Sequence, residues 1–332
     1  MDESQFSALE PPRLTIRDLL RDLSQDLKFR VIAGSRGLDR EVIEKDLHRP
    51  GLLLSGFEDL FPGHRIQLLG NTESLFLRRL KPVLRETAIK RLYQHAPPCI
   101  IVTDKNQAPQ LTRQLSDQLN ITLVSSQLST NDVAFVLTNY LNDIFAPRVE
   151  VHGTLVDVYG TGVLFTGRAG IGKSEIALDL IERGHRLVAD DRVIVTRRPP
   201  GILIGSGPEM LKHFIEIRGV GIINVREIFG VRAVRLQKRV EIVVELVDWD
   251  SKEEYERLGL EEHYRYFLGL NIPHIRLPIY PGKNITVIAE TIALNLHLKV
   301  YGYHAAREFN RRLIVRMNNR RRIRKYLRWD RE

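Results

Sequence analysis

The residues Gly167-Arg168-Ala169-Gly170-Ile171-Gly172-Lys173-Ser174 fit the pattern G-x-x-x-x-G-K-S/T. Glycines let a backbone fold so that several N–H groups point into one concavity. A helix beginning at the end of the loop adds partial positive charge to that concavity. In such a loop Lys173 can reach the β- and γ-phosphates of a nucleotide, and the Ser174 hydroxyl can ligate Mg²⁺. The chemistry indicated is phosphoryl transfer, with ATP and Mg²⁺ as cofactors. A Gly-rich turn of no function could share the pattern, so the flanks decide. Residues 162–166 form an apolar, strand-like run into the loop, and residues 175–183 read as a helix with Ile176, Ala177, Leu180 and Ile181 on one stripe.

Phosphoryl transfer also needs a second metal ligand and a group that orients the nucleophile. The apolar segment LVADD ends in Asp190 and Asp191, seventeen residues after Lys173 for the first of them. A strand returning beside the P-loop strand would bring these acids near a γ-phosphate. Side chains alternate along a strand, so the two aspartates should not face the site equally. Glu216 sits inside the apolar run FIEIRGVGIINV, where an acid is costly to bury unless paired or on a metal. Arg218, two residues on and on the same strand face, makes a plain salt bridge an equal explanation. Arg257, in YERLGL, has the look of an exposed helix arginine, and His152 that of a lone histidine before a strand.

These residues need a scaffold. Residues 14–27 carry apolar positions at helical spacing, and CIIVTD and ITLVSS read as buried strands. Helical patterns cover 110–119 and 131–144. Strands alternating with helices predict an α/β first domain over residues 1–146. The Phe145-Ala146-Pro147 stretch breaks the preceding helix and sets the boundary. The second domain, 147–332, opens on the strand-like VEVHGTLVDVYG and GVLFTG. The stretch RRPPGILIGSGPE reads as a mobile loop between strands. The strand EIVVELVDW, the helix-like KEEYERLGL and the turn IYPGKN follow. One long helical pattern runs from about Thr286 into the C-terminus.

Composition bounds the rest. The chain has 332 residues, 43% hydrophobic and 27% charged, ordinary for a soluble globular protein. One cysteine, Cys99, forbids an intramolecular disulfide and fits a reducing compartment. With no signal-peptide pattern and no apolar run of membrane-spanning length, the expectation is a cytoplasmic protein with no membrane partner. From Arg307 onward there are eleven Lys/Arg against three acids, which accounts for +8 of the net +9. Such a tail reads as solvated or as bound to acidic protein surfaces rather than to nucleic acid.

Taken in order, GRAGIGKS, the acid pair of LVADD, EIRGVGIINV, YERLGL and PGKN resemble HPr kinase/phosphorylase. The likeness extends to HGTLVDVYG, and to GLDR, HRPGLLLSGF and RIQLLGNTE upstream, so it covers nearly the whole chain. It implies an N-terminal α/β domain and a C-terminal P-loop kinase domain similar to phosphoenolpyruvate carboxykinase. It implies a hexamer, phosphorylation of a serine of the phosphocarrier HPr, and reversal by inorganic phosphate with release of pyrophosphate. By the same resemblance Asp191 is the catalytic acid–base, Lys173 holds phosphate, Ser174 and Glu216 hold Mg²⁺, and His152 and Arg257 are active-site residues. One stretch departs from the pattern. Where the family commonly reads PVRPGRN, this chain reads PIYPGKN, with Tyr280 and Lys283 in place of arginines, and a lysine offers a point charge rather than a planar fork. The expectation is a balance shifted toward phosphorylation.

Overall fold

The computed structural model describes residues 6–250 and 261–329. It divides into two compact units, Glu10–Ala146 and Pro147–Glu332, the second also taking in the N-terminal strand Phe6–Leu9.

The first unit is a three-layer α/β body. Its sheet has the order Arg30–Ala33, Thr122–Ser125, Cys99–Val102, Ile66–Leu69, Leu47–His48, with the last four parallel. Buried on both faces, its inner strands are near-continuous apolar runs. Alternation sends Ile66, Leu68, Cys99, Ile101 and Val124 to one core, shared with helices Ile16–Leu27 and Thr130–Ile144. Leu69, Ile100, Val102 and Leu123 go to the other core, against helices Pro82–Gln94 and Gln110–Leu119. Thr15 and Asp18 close a capping box at the first helix, and Ser129 caps the helix that ends this unit.

The second unit packs two sheets face to face and lays helices on the outer face of one. Its labelled strands are β1 (Arg148–His152), β2 (Thr154–Val158), β3 (Thr161–Thr166), β4 (Arg186–Ala189), β5 (Arg192–Arg198), β6 (Ile202–Ser206), β7 (Phe214–Ile217), β8 (Gly221–Asn224), β9 (Gln237–Arg239), β10 (Ile242–Asp248), β11 (His263–Phe267) and β12 (Leu270–Ile279). The helices are α1 (Lys173–Glu182), α2 (Ile285–Val300) and α3 (Ala305–Trp329). One sheet runs Phe6–Leu9, β1, β5, β6, β9, and the other runs β4, β2, β3, β10, β12, β11 with β3, β10 and β12 parallel. Val151, Leu155, Leu164, Val193, Val195 and Val243 fill the space between the sheets. Val163, Phe165 and Val244 point the other way, onto Ala177, Leu180 and Ile181 of α1 and Ala289 and Ala293 of α2. Every residue of β3 is buried. Phe165 alone, at 0% exposure, contributes about 2–3 kcal/mol of apolar burial.

Three sequence expectations are corrected. The Pro/Gly-rich stretch after β5 is not a loop on its own; it turns between β5 and β6, which pair in register from Ile194↔Ser206 to Arg198↔Ile202. The long C-terminal helix is two helices, because the chain turns at Gly302 (φ +87°), a conformation glycine adopts without strain. The acid-bearing strand β4 does not lie beside the P-loop strand, since β2 stands between them. Residues 251–260, including the expected KEEYERLGL helix, lie outside the described residues.

The turn from α1 to β4 is tied to α2 through Glu290. Its buried carboxylate accepts from Arg183 Nε at 2.8 Å and Nη2 at 2.7 Å, and lies 3.0 Å from His185 Nε2. The Arg183 hydrogen bonds, with those of His185, depress the Glu290 carboxyl to about 2, against burial, which acts the other way. A depressed acid contributes stability above its unfolded value, near 4.5, and loses it as pH falls through the folded value. Glu290→Gln is therefore expected to cost about 2 kcal/mol at neutral pH, less than the full shift because Arg183 stays half in solvent. Urea unfolding across pH should show the gap between variant and parent closing between about 4.5 and 2.

Candidate active site

The site lies where β3 ends. The chain leaves Thr166 through Gly167 at φ +140°, where a Cβ would stand 2.5 Å from the Leu246 carbonyl oxygen of neighbouring β10. Only glycine passes so close to the next strand in that conformation. Gly170 and Gly172 also take positive φ, 74° and 102°, and Gly172 delivers the chain into α1. The loop is thereby wrapped around the helix start, with backbone N–H groups and helix dipole facing one recess. Arg168 turns outward and forms a bidentate pair with Asp248, Nε to Oδ2 at 2.6 Å and Nη2 to Oδ1 at 2.9 Å. Ala169 is exposed in the loop and Ile171 is anchored in the core behind it.

Lys173 is buried, and its ammonium has three donors for three acceptors. Nζ donates to Gly167 O and Arg168 O, both at 3.1 Å, and lies 3.3 Å from His152 Nε2. On the far side of the ring, His152 Nδ1 is 3.1 Å from Asp191 Oδ1. One tautomer serves both contacts: a neutral ring that donates from Nδ1 to Asp191 and accepts from Lys173 at Nε2. Burial pulls the Lys173 ammonium below the usual lysine range, and Asp190, Asp191 and Glu175 partly offset this.

The two aspartates part company in the turn just past β4. Asp190 is 5% exposed and accepts hydrogen bonds from Thr154 Oγ1 at 2.6 Å, Ser174 Oγ at 2.9 Å and the Glu216 backbone N–H at 3.3 Å, with the Asp191 backbone contributing another. Burial pushes its carboxyl above the usual carboxylate range, while the bonds from Thr154 and Ser174 pull it back. Asp191 is the exposed one. Its backbone is left-handed, φ +65°, and its carbonyl accepts from Gly153 N at 3.1 Å, so the turn from β4 to β5 is fixed with the carboxylate toward solvent and His152. Although β4 is two strands from β3, Thr154 of the intervening β2 bridges to Asp190 and joins the acids to the loop.

Glu216 and Arg218 answer an open question. They do not pair with each other among the described residues. Glu216 is exposed at the hairpin β7–β8, its backbone tethered to Asp190 and hence to Ser174. The Arg218 guanidinium lies over the P-loop instead, so close that a Cβ on Gly170 would stand 2.4 Å from its Nη2. The sequence left a salt bridge from Arg218 to Glu216 as an equal alternative. The signal for its true place was Gly170, the extra glycine that makes room for it. Arg257 lies outside the described residues. Among the described residues no group of three or more His, Cys, Asp or Glu clusters around a common point. Ser174 and Glu216 are both joined to Asp190, the first through its hydroxyl and the second through its backbone N–H.

Residues 143–313 match the model of the HPr Serine kinase C-terminal domain, and residues 14–141 that of the HPr Serine kinase N terminus. A relative from Chloroherpeton thalassium named HPr kinase/phosphorylase is 50% identical over 274 residues, spanning 82% of this chain and 81% of the relative. A relative of the same name from Bacillus cereus is 43% identical over 294 residues, spanning 89% and 95%. A solved chain, the Hpr(Ser) kinase/phosphatase from Coxiella burnetii, is 38% identical at a TM-score of 0.44, covering 48% of this chain and 97% of that one. With both halves matched by the family's models, and with identities this high over most of its length, the chain belongs to the HPr serine kinase family.

Proposed function

We propose that the chain is an ATP-dependent protein serine kinase acting on the phosphocarrier HPr, and that it also removes the phosphate by phosphorolysis. The supporting observation is the row Lys173–His152–Asp191, which joins the phosphate-binding lysine to an exposed carboxylate at 3.3 and 3.1 Å. In the kinase direction the serine Oγ of HPr attacks the γ-phosphorus. Its proton passes to Asp191, the bond from phosphorus to the bridging oxygen breaks, and ADP leaves. In reverse, an oxygen of inorganic phosphate attacks the phosphorus of phosphoserine. Asp191, now protonated, returns the proton to the departing serine oxygen, and pyrophosphate is the product. His152 holds Asp191 in place and keeps its other nitrogen on Lys173. Lys173 exchanges the loop carbonyls for phosphate oxygens as nucleotide enters. Arg218, over Gly170, adds positive charge where the phosphates lie, and Arg257 is assigned to transition-state charge by resemblance alone.

Mg²⁺ fits the donor set: Ser174 offers a hydroxyl oxygen and Glu216 an exposed carboxylate, both hard ligands. Bound there, the ion neutralises charge on the β- and γ-phosphates. The buried Asp190 accepts from Ser174 and orients its hydroxyl. The catalytic role belongs to residues 147–332. A hexamer, a cytoplasmic location and a likeness of this unit to phosphoenolpyruvate carboxykinase are part of the same proposal. The exposed apolar residues Val220, Ile222, Ile228 and Val231 beside the site offer surface for contact with HPr or a neighbouring subunit.

The test is incubation with HPr and ATP–Mg²⁺, then addition of phosphate, with phosphoserine and pyrophosphate both measured. Phosphoserine on HPr, lost with matching pyrophosphate, is the expected result; ATP turnover on a metabolite with HPr untouched would sink the proposal. Lys283 gives one refinement. Its Nζ donates to Pro278 O at 2.8 Å and sits 5.2 Å from the Tyr280 ring centre, so it is occupied within its own turn. In the same assay at saturating ATP, Tyr280→Arg is expected to raise the ratio of phosphorolysis to kinase rate about tenfold, the order of one charge-assisted contact. An unchanged ratio removes Tyr280 from that balance.

A further inference from the structure

Trp249 and Tyr280 sit side by side just past the C-terminal ends of β10 and β12, which pair in parallel register through Asp248↔Ile279. A backbone bond continues the pairing, Trp249 N to Ile279 O at 3.2 Å. The rings meet edge to face, centres 5.6 Å apart at 70°, and each remains about half exposed. Lys283 backs the Tyr280 ring while held by the Pro278 carbonyl. The result is an aromatic corner at the carboxyl ends of two parallel strands, with an apolar face and a polar handle on each ring.

The position of this corner relative to the loop gives it an occupant. The reacting end of the phosphate chain is marked by His152, Asp190 and Asp191, all on the β1, β2 and β4 side of the P-loop strand. A nucleotide whose γ-phosphate lies there must extend its other end across the loop, toward β10 and β12. On that side Arg168 is clamped to Asp248, the residue next to Trp249. Ligands of open α/β sheets lie in this crevice, outside the carboxyl ends of the parallel strands. We propose that Trp249 and Tyr280 form the base subsite of the enzyme, against which the adenine ring of ATP stacks. Stacking uses the π-face common to all bases and needs no hydrogen-bond readout, so purine nucleotides in general should fit. The inference rests on the nucleotide-dependent reading given above.

Calorimetric titration of the full chain with ATP–Mg²⁺ and with inorganic tripolyphosphate–Mg²⁺ separates the two. Tyr280→Ala and Trp249→Ala are each expected to weaken ATP about tenfold while leaving tripolyphosphate within about twofold, since only the nucleotide carries a base. Tyr280→Phe, which keeps the ring, should bind ATP as the parent does, which guards against a variant that merely misfolds. Equal losses for both ligands would mean that the rings act on the loop through Asp248 and Arg168, and no loss for either would mean that they touch nothing; both outcomes overturn the inference. Lys173→Ala, run alongside, should weaken tripolyphosphate; if it does not, the phosphate-binding reading fails while the base subsite is judged separately.

Discussion

Asp191→Asn is expected to cut phosphoryl transfer about a thousandfold in both directions while leaving the affinity for ATP within about threefold. General acid–base groups contribute roughly 10²–10⁴ in rate, and asparagine neither takes the serine proton nor returns one. The symmetric loss is the distinguishing mark. A residue that only binds inorganic phosphate would slow one direction alone; a residue that passes a proton between the same two oxygens must slow both. Rates with HPr and with phosphoserine-HPr, measured at saturating nucleotide or phosphate, check this. Because Asp191 is exposed and stabilises little beyond its turn, the variant should unfold at the same temperature as the parent. A loss in the kinase direction only would reassign Asp191, and so would a loss accompanied by a lowered melting temperature.

Lys173→Met should abolish measurable transfer and weaken ATP–Mg²⁺ by about a hundredfold or more, because the only ammonium inside the P-loop is gone. Its effect on stability should be opposite in kind. Burial holds the Lys173 pKa below its ordinary value. A depressed folded pKa means that the charged form is disfavoured by the fold, and the stability linked to it is lost as pH falls through the folded value. At neutral pH the parent therefore carries a buried charge against its own stability. Methionine fills the same volume without that charge. The expected melting temperature is at or slightly above that of the parent, by no more than about 4 °C for a unit of this size. An inactive variant that melts well below the parent would mean that the loop needs the lysine to fold. Activity retained would remove the phosphate-binding reading altogether.

What was legible in the sequence was local. The P-loop could be read because its chemistry forces glycine at fixed offsets and a helix immediately after. The α/β character of the first unit could be read because buried parallel strands are short apolar runs and the helices between them keep their own period; the spacing over 110–119 coincides with the helix Gln110–Leu119. The sequence anticipated that Asp190 and Asp191 would differ in exposure, but both lie past the end of β4, in a turn whose left-handed residue alternation does not foresee. What was not legible was pairing between distant segments. Nothing near Arg186–Ala189 says that Thr154–Val158 will slip between it and the P-loop strand. Nothing near Arg218 says that its hairpin will fold over Gly170 rather than leave Arg218 to Glu216. His152, unremarkable in its own segment, acquires meaning only when Lys173 and Asp191 arrive on either side of its ring.

The N-terminal strand has a consequence for how the polypeptide can be divided. Phe6–Leu9 lies along Arg148–His152, with Leu9 opposite Arg148. The intervening unit is therefore stitched in at both ends, leaving and rejoining at neighbouring rungs of one ladder. A cut at Pro147 would not yield a self-sufficient kinase half. It would strip the edge strand from the strand that carries His152 and bare that strand's own row of amides and carbonyls.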